Sequence, residues 1–237
     1  MEPPRIAIVH IGKTGGTSVR TALTPYYKAN QVCPYQFEAQ YPSNLTAVAH
    51  YRLYDTHFGF DLASRLDAKL VTVVRNPFDR LISLYHYWRE VPSDNGGPGW
   101  AKRVDFDRFL EIACTVPAIQ ADTFNAQTWQ LAFSHLPAAR QNFLHLSDDD
   151  ILRQAIKNLQ SFTIVGVTEA MEDLFREMNE RLGLKGRLTA QRMNVTGVRI
   201  ELDDVKVSTR RRMVELIHLD LALYDHVCAH YHWKRPV

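Results

Sequence analysis

Seven consecutive residues, Gly12-Lys13-Thr14-Gly15-Gly16-Thr17-Ser18, combine three ways of holding a phosphate. The glycines let backbone N–H groups come close to an anion, and a helix starting just after them turns its positive end to the same point. Lys13 adds a compact cation, while Thr14, Thr17 and Ser18 add hydroxyl donors. A second pair, Arg75 and Ser83, stands eight residues apart. An arginine at the carboxyl end of a strand and a serine about two turns into the next helix can both reach one further phosphate if that helix packs alongside. Histidine, the usual proton acceptor near neutral pH, occurs ten times, and spacing alone does not choose among the copies.

Two nucleotide-handling families place a lysine in such a loop. The Walker A pattern, GxxxxGK[ST], nearly fits Ala7 to Thr14, but its first glycine is Ala7 here. A kinase of that type also needs an acidic residue after a second strand to help hold magnesium. The best second strand, Lys69 to Val74, runs into Arg75-Asn76-Pro77. An arginine there repels a metal and attracts a phosphate.

The stretch His10-Ile-Gly-Lys-Thr-Gly-Gly-Thr-Ser18 resembles the 5′-phosphosulfate loop of the PAPS-dependent sulfotransferases, in particular the carbohydrate 2-O-sulfotransferase-like branch and its bacterial relatives. Gly12 stands where that branch usually carries proline. Arg75-Asn-Pro-Phe-Asp-Arg-Leu-Ile-Ser83 resembles the 3′-phosphate motif of the same family. Thr56-His57-Phe58-Gly59 resembles its G-H-x-x-[FY]-G-type segment, with Thr56 replacing the glycine and the spacing shortened. Asn125 to Leu131, Phe162 to Glu169, Asn194 to Thr196 and Leu221 to Asp225 resemble further blocks more loosely.

The resemblance implies a donor, 3′-phosphoadenosine 5′-phosphosulfate (PAPS), and the product adenosine 3′,5′-bisphosphate (PAP), with no metal required. It places Gly12, Lys13, Thr14, Gly15, Gly16, Thr17 and Ser18 on the 5′-phosphate, and Arg75 and Ser83 on the 3′-phosphate. Lys13 then stabilises the bridging oxygen, and His57 is the base, with His50 as its fallback. His10 ends a strand and is expected to shape the loop. The implied acceptor is a hydroxyl of a carbohydrate or small metabolite. The alternatives are an ATP- and magnesium-dependent small-molecule kinase and a nucleotide-binding module without catalysis.

These residues need a scaffold. Arg5–His10, Lys69–Val74 and Phe162–Val167 read as buried strands, and Leu45 to Tyr51 as another. Helices are expected over about 19–27, 61–67, 77–90, 105–114, 119–135, 147–160, 169–182 and 208–230, with Ser147 as an N-cap and Gly183 as a stop. Residues 28–45 read as an irregular connection, and Val91 to Lys102 as either a lid or a surface loop. Residues 184–206, with Arg187, Arg192 and Asn194, read as a basic segment that either closes over the nucleotide or stays solvated. Tyr85, Trp88 and Trp129 are expected in the core, and His226, His230 and His232 on the surface. Strands alternating with helices predict an α/β fold: a P-loop-like domain, single over 1–237, with a central parallel sheet flanked by helices.

Composition narrows the rest. With 28 Lys and Arg against 26 Asp and Glu, the charge is near balance, which argues against a broad nucleic-acid-binding face. Three widely spaced cysteines make no zinc pattern and fit a reducing compartment. No apolar run reaches the roughly 20 residues of a membrane span. A cytoplasmic protein is the simplest expectation.

Overall fold

The computed structural model describes residues 2–143, 145–184, 188, 200–231 and 233. Among these, strands β1 (Ile6–Val9), β2 (Leu53–Thr56), β3 (Lys69–Val74) and β4 (Ile164–Val167) form a wholly parallel sheet in the order β2-β1-β3-β4. The chain goes from β1 to β2 on one side and then crosses to β3 on the other. The carboxyl ends of β1 and β3 therefore flank a switch point, where open α/β sheets bind ligands.

The helices are α1 (Gly16–Leu23), α2 (Phe60–Ala63), α3 (Pro77–Glu90), α4 (Gly96–Arg103), α5 (Phe106–Thr115), α6 (Pro117–Thr123), α7 (Ala126–Ala132), α8 (Pro137–Arg140), α9 (Asp148–Leu159), α10 (Met171–Arg181) and α11 (Val207–His230). They cover both faces of the sheet. Ile6 and Ile8 share a core with Val19 and Leu23 of α1 and with Leu174, Phe175 and Met178 of α10. Ala7 and Val9 point the other way, into a core with Trp129, Leu131, Leu159, Leu219 and Leu223. A third apolar cluster joins α3, α4 and α5 to the first half of α11. The expected α/β architecture with a covered parallel sheet is therefore present, and Tyr85, Trp88 and Trp129 are all buried.

Several local expectations are corrected. Leu45 to Tyr51 is not a strand: Leu45–Val48 is a 3₁₀ turn capped by Asn44, and the strand lies just after it. β2 carries Asp55 and Thr56, so its apolar run is too short to stand out, although all four residues are buried. The stretch from Val91 to Lys102 is not all loop, because α4 begins at Gly96. There the glycines serve packing: a Cβ on Gly97 would stand 2.4 Å from the Trp88 ring, and one on Gly99 2.1 Å from the Asp94 carbonyl. The helix expected over 119–135 is two helices, α6 and α7, broken at Asn125 with φ of 45°. Helix α2 is shorter than expected, and α1 starts at Gly16 instead of Val19 and gives way to a 3₁₀ turn at Thr24.

The break at Asn125 has a purpose in packing. Helix α11 kinks at Ile217, which frees backbone groups inside it. Asn125 takes them up: its N–H donates to Leu216 O at 2.8 Å, and its Oδ1 accepts from Leu219 N at 2.9 Å. One turn on, buried Asp220 accepts from Thr128 N, Thr128 Oγ1 and Gln127 N, and so caps α7 from another helix. Ser147 caps α9 and Gly183, at φ 73°, follows α10, both as expected.

Candidate active site

Three neighbouring strands deliver three sets of groups to one edge of the sheet. β1 runs into the loop from Gly12 to Ser18, β2 ends just before His57, and β3 ends just before Arg75. The loop is tightly curled. Gly15 has φ 88° and serves as N-cap of α1, and Lys13 adopts φ 69°, a conformation lysine rarely takes. No side chain caps α1. The N–H groups of Thr14, Gly15, Gly16 and Thr17 have no backbone partner among the described residues. Unmet donors at a helix N-terminus next to a lysine make a ready anion cradle.

Neighbours hold this loop from every side. Arg80, 2% exposed, donates to Gly12 O at 2.9 Å and to Asp122 O at 2.9 Å. The Thr168 hydroxyl, at the end of β4, faces Thr14 O at 2.7 Å and Val74 O at 3.2 Å. The Thr14 hydroxyl itself donates to Ile11 O at 2.9 Å and is buried, so it closes the turn and does not face outward. Beneath the loop lies His10. A Cβ on Gly16 would stand 2.3 Å from the His10 ring, whereas one on Gly12 would meet nothing within 4 Å. Proximity to that ring is what demands glycine at 16.

Lys13 rests with its ammonium 4.1 Å from the centroid of the Tyr87 ring. Arg80, Ser83 and Tyr87 follow at helical spacing on α3, so one face of that helix looks onto the loop. Ser83 is buried on this face. Asn76 caps the helix, accepting from Phe78 N at 3.0 Å, with Pro77 at the first helical position. Arg75 is joined directly to the loop, its Nη1 donating to Lys13 O at 3.2 Å.

On the β2 side, His57 Nδ1 lies 2.8 Å from the carbonyl oxygen of His10. A carbonyl can only accept, so Nδ1 carries the proton and Nε2 carries the lone pair. Burial, with smaller contributions from His10 and His135, lowers the His57 pKa to about 4 and keeps the ring neutral at pH 7. The His10 ring lies 4.4 Å away between centroids, and its Nδ1 is engaged by Asp55 at 3.1 Å. His10 thus shapes the loop, as expected. The fallback, His50, is exposed, and its ring lies tilted against Tyr51 with centroids 3.9 Å apart.

Sequence reasoning missed several residues around His57. Phe37, half exposed, stacks on its ring at 5.8 Å, and the His135 ring faces it at 5.9 Å. Glu38 binds this wall together by accepting from Gly59 N, His135 N and Ser134 Oγ. Gln130 donates to both His10 O and Phe58 O. Only Gln130 falls in a loosely matching block, Asn125 to Leu131, and no local motif marks the others, because their partners come from distant elements. Arg187, Arg192 and Asn194 lie outside the described residues, as does His232. His226 and His230 stack on each other at 5.3 Å on α11. Among the described residues no three acidic, histidine or cysteine side chains gather to hold a metal, and no helix is long and apolar enough to cross a membrane.

A parallel sheet with a phosphate-type loop at its switch point defines an α/β protein of the P-loop-like kind. Within that class, residues 2–227 match the sulfotransferase family. The match spans nearly the whole chain, so this protein belongs to the sulfotransferase family and is a transferase whose chemistry is sulfuryl transfer. No individual curated protein matches it.

Proposed function

We propose that the chain acts as one sulfotransferase domain that moves the sulfuryl group of PAPS to an acceptor hydroxyl. The observation that supports this most is the direct link between the two anion sites, Arg75 Nη1 on Lys13 O. In this reading the N–H groups of Thr14, Gly15, Gly16 and Thr17, with the hydroxyls of Thr17 and Ser18, hold the 5′-phosphate. Gly12 supplies the backbone turn before Lys13. Arg75 and Ser83 hold the 3′-phosphate.

The reaction forms one S–O bond and breaks another. The acceptor oxygen attacks sulfur as the bond from sulfur to the oxygen of the 5′-phosphate breaks. Charge develops on that departing oxygen, and Lys13 offsets it. The acceptor proton passes to His57 Nε2, whose lone pair is fixed by the Nδ1 bond to His10. His57 lies on the β2 side of the loop, away from Arg75 on the β3 side, which suits a base that meets the acceptor and not the nucleotide. Positioning and charge stabilisation carry the rest of the acceleration.

The acceptor we propose is a carbohydrate or small-metabolite hydroxyl, with PAP as the released product and no metal needed. The kinase alternative is weakened at β3, where Arg75-Asn76 replaces the acidic residue that holds magnesium. Calorimetric titration with PAP and with ATP, first in EDTA and then in magnesium, tests the donor. Metal-independent binding of PAP, lost in Arg75→Ala, is expected. A preference for ATP with magnesium overturns the reading.

A further inference from the structure

Two side chains distant in sequence close on the backbone of Arg75 and Asn76. The Gln127 carboxamide accepts from Arg75 N at 2.9 Å and donates to Arg75 O at 3.0 Å. Glu169 accepts from Asn76 N at 2.8 Å through Oε1, while its Oε2 accepts from the Tyr224 hydroxyl at 3.0 Å. Gln127 is 1% exposed, and its own N–H is held by Asp220. The Asn76 side chain is committed as the cap of α3.

Strand-to-helix connections ordinarily leave such backbone groups to water. Here Arg75 cannot rotate about its backbone without breaking at least one of these three bonds. A guanidinium is a planar fork whose value to a phosphate depends on its angle of approach. Both oxygens of Glu169 are satisfied by donors, which explains how a partly buried carboxylate is tolerated beside an anion site.

We propose that Gln127 and Glu169 are positioning residues that aim Arg75 and thereby let the enzyme select a nucleotide 3′,5′-bisphosphate over a 5′-monophosphate. This rests on Arg75 being the 3′-phosphate residue. The two residues come from α7 and from the turn after β4, so selection of the donor depends on the packing of α7, α10 and α11 around β3.

Calorimetry with PAP and with adenosine 5′-phosphate tests it on the full chain. Glu169→Ala and Gln127→Ala are each expected to weaken PAP about tenfold while adenosine 5′-phosphate changes by about twofold or less. Glu169→Gln restores most of the loss, since its amide can accept from Asn76 N and donate to the Tyr224 oxygen. In an Arg75→Ala background neither alanine substitution has further effect. Should Glu169→Ala fail to fold, Tyr224→Phe, which releases one Glu169 oxygen, is expected to shift the same ratio. Folded variants that keep the wild-type ratio, or that lose both ligands in parallel, overturn the inference. A wild type that binds both ligands equally overturns the assignment of Arg75 itself.

Discussion

The imidazole of His57 hangs from the backbone of His10, Nδ1 to carbonyl oxygen at 2.8 Å, and the same carbonyl accepts from Gln130 at 3.0 Å. The residue between β1 and the phosphate loop therefore also fixes the tautomer of the proposed base. His57→Ala is expected to lower kcat by about 10²- to 10⁴-fold. PAP affinity should stay near wild type, because the ring does not hold the loop. Single-turnover kinetics beside calorimetry check this; an unchanged rate assigns the base elsewhere.

The acid limb of activity follows from the same ring. With a pKa of about 4, His57 is unprotonated, and competent as a base, down to well below pH 6. The pH profile of kcat/KM for the donor should stay level through pH 6 and fall only near 4, where an ordinary histidine would bend near 6.5.

Stability carries the matching signature. Burial lowers the native pKa of both His57 and His135, so between the native and ordinary values the unfolded chain binds more protons. The contribution of His57 is complete above about pH 6.5 and is lost as pH falls toward 4, and that of His135 is lost in the same direction. Urea unfolding across that range should show a shallower acid loss in His57→Gln than in the wild type.

Two glycines of the loop should respond oppositely. Gly16→Ala drives a Cβ into the His10 ring and is expected to abolish PAP binding and turnover. Gly12→Ala meets nothing within 4 Å and should leave binding within about twofold while stabilising by about 0.5 kcal/mol through a less flexible unfolded chain. Thermal unfolding and calorimetry on the pair separate steric need from simple loop flexibility.

Arg80 links the loop to the helical layer behind it. Its pKa is lowered by burial, and Asp220 and Asp122 are its charge neighbours. Arg80→Met should cost about 3 kcal/mol, since Asp220 stays buried with less opposing charge. Looser PAP binding is expected alongside, because Gly12 O loses its donor.

What could be read from sequence was what lies contiguously along it. The loop, Arg75 with Ser83, and the Thr56–Gly59 segment are short runs beside strands, and strand and loop signals sit next to each other in the chain. Arg80 lies inside the same motif yet gives no sign of reaching back to Gly12, 68 residues away. Gln127, Glu169 and Tyr224 belong to the loosely matching blocks, and only folding shows that they converge on one peptide. β2 escaped notice because Asp55 and Thr56 break its apolar run, and α4 because its glycines report packing against Trp88 and Asp94 instead of a turn. The split at Asn125 depends on the kink in α11, nearly a hundred residues later.

The Thr168 hydroxyl sits between Thr14 O and Val74 O, one group at the junction of two strand exits. The gap between the two proposed anion seats is then set by sheet register, with Val9 beside Thr72, and not by the length of either loop. The molecule works as a caliper with fixed jaws. If the two seats are those proposed, a nucleotide of equal charge with its second phosphate on the 2′ oxygen is expected to bind more weakly than the 3′ form.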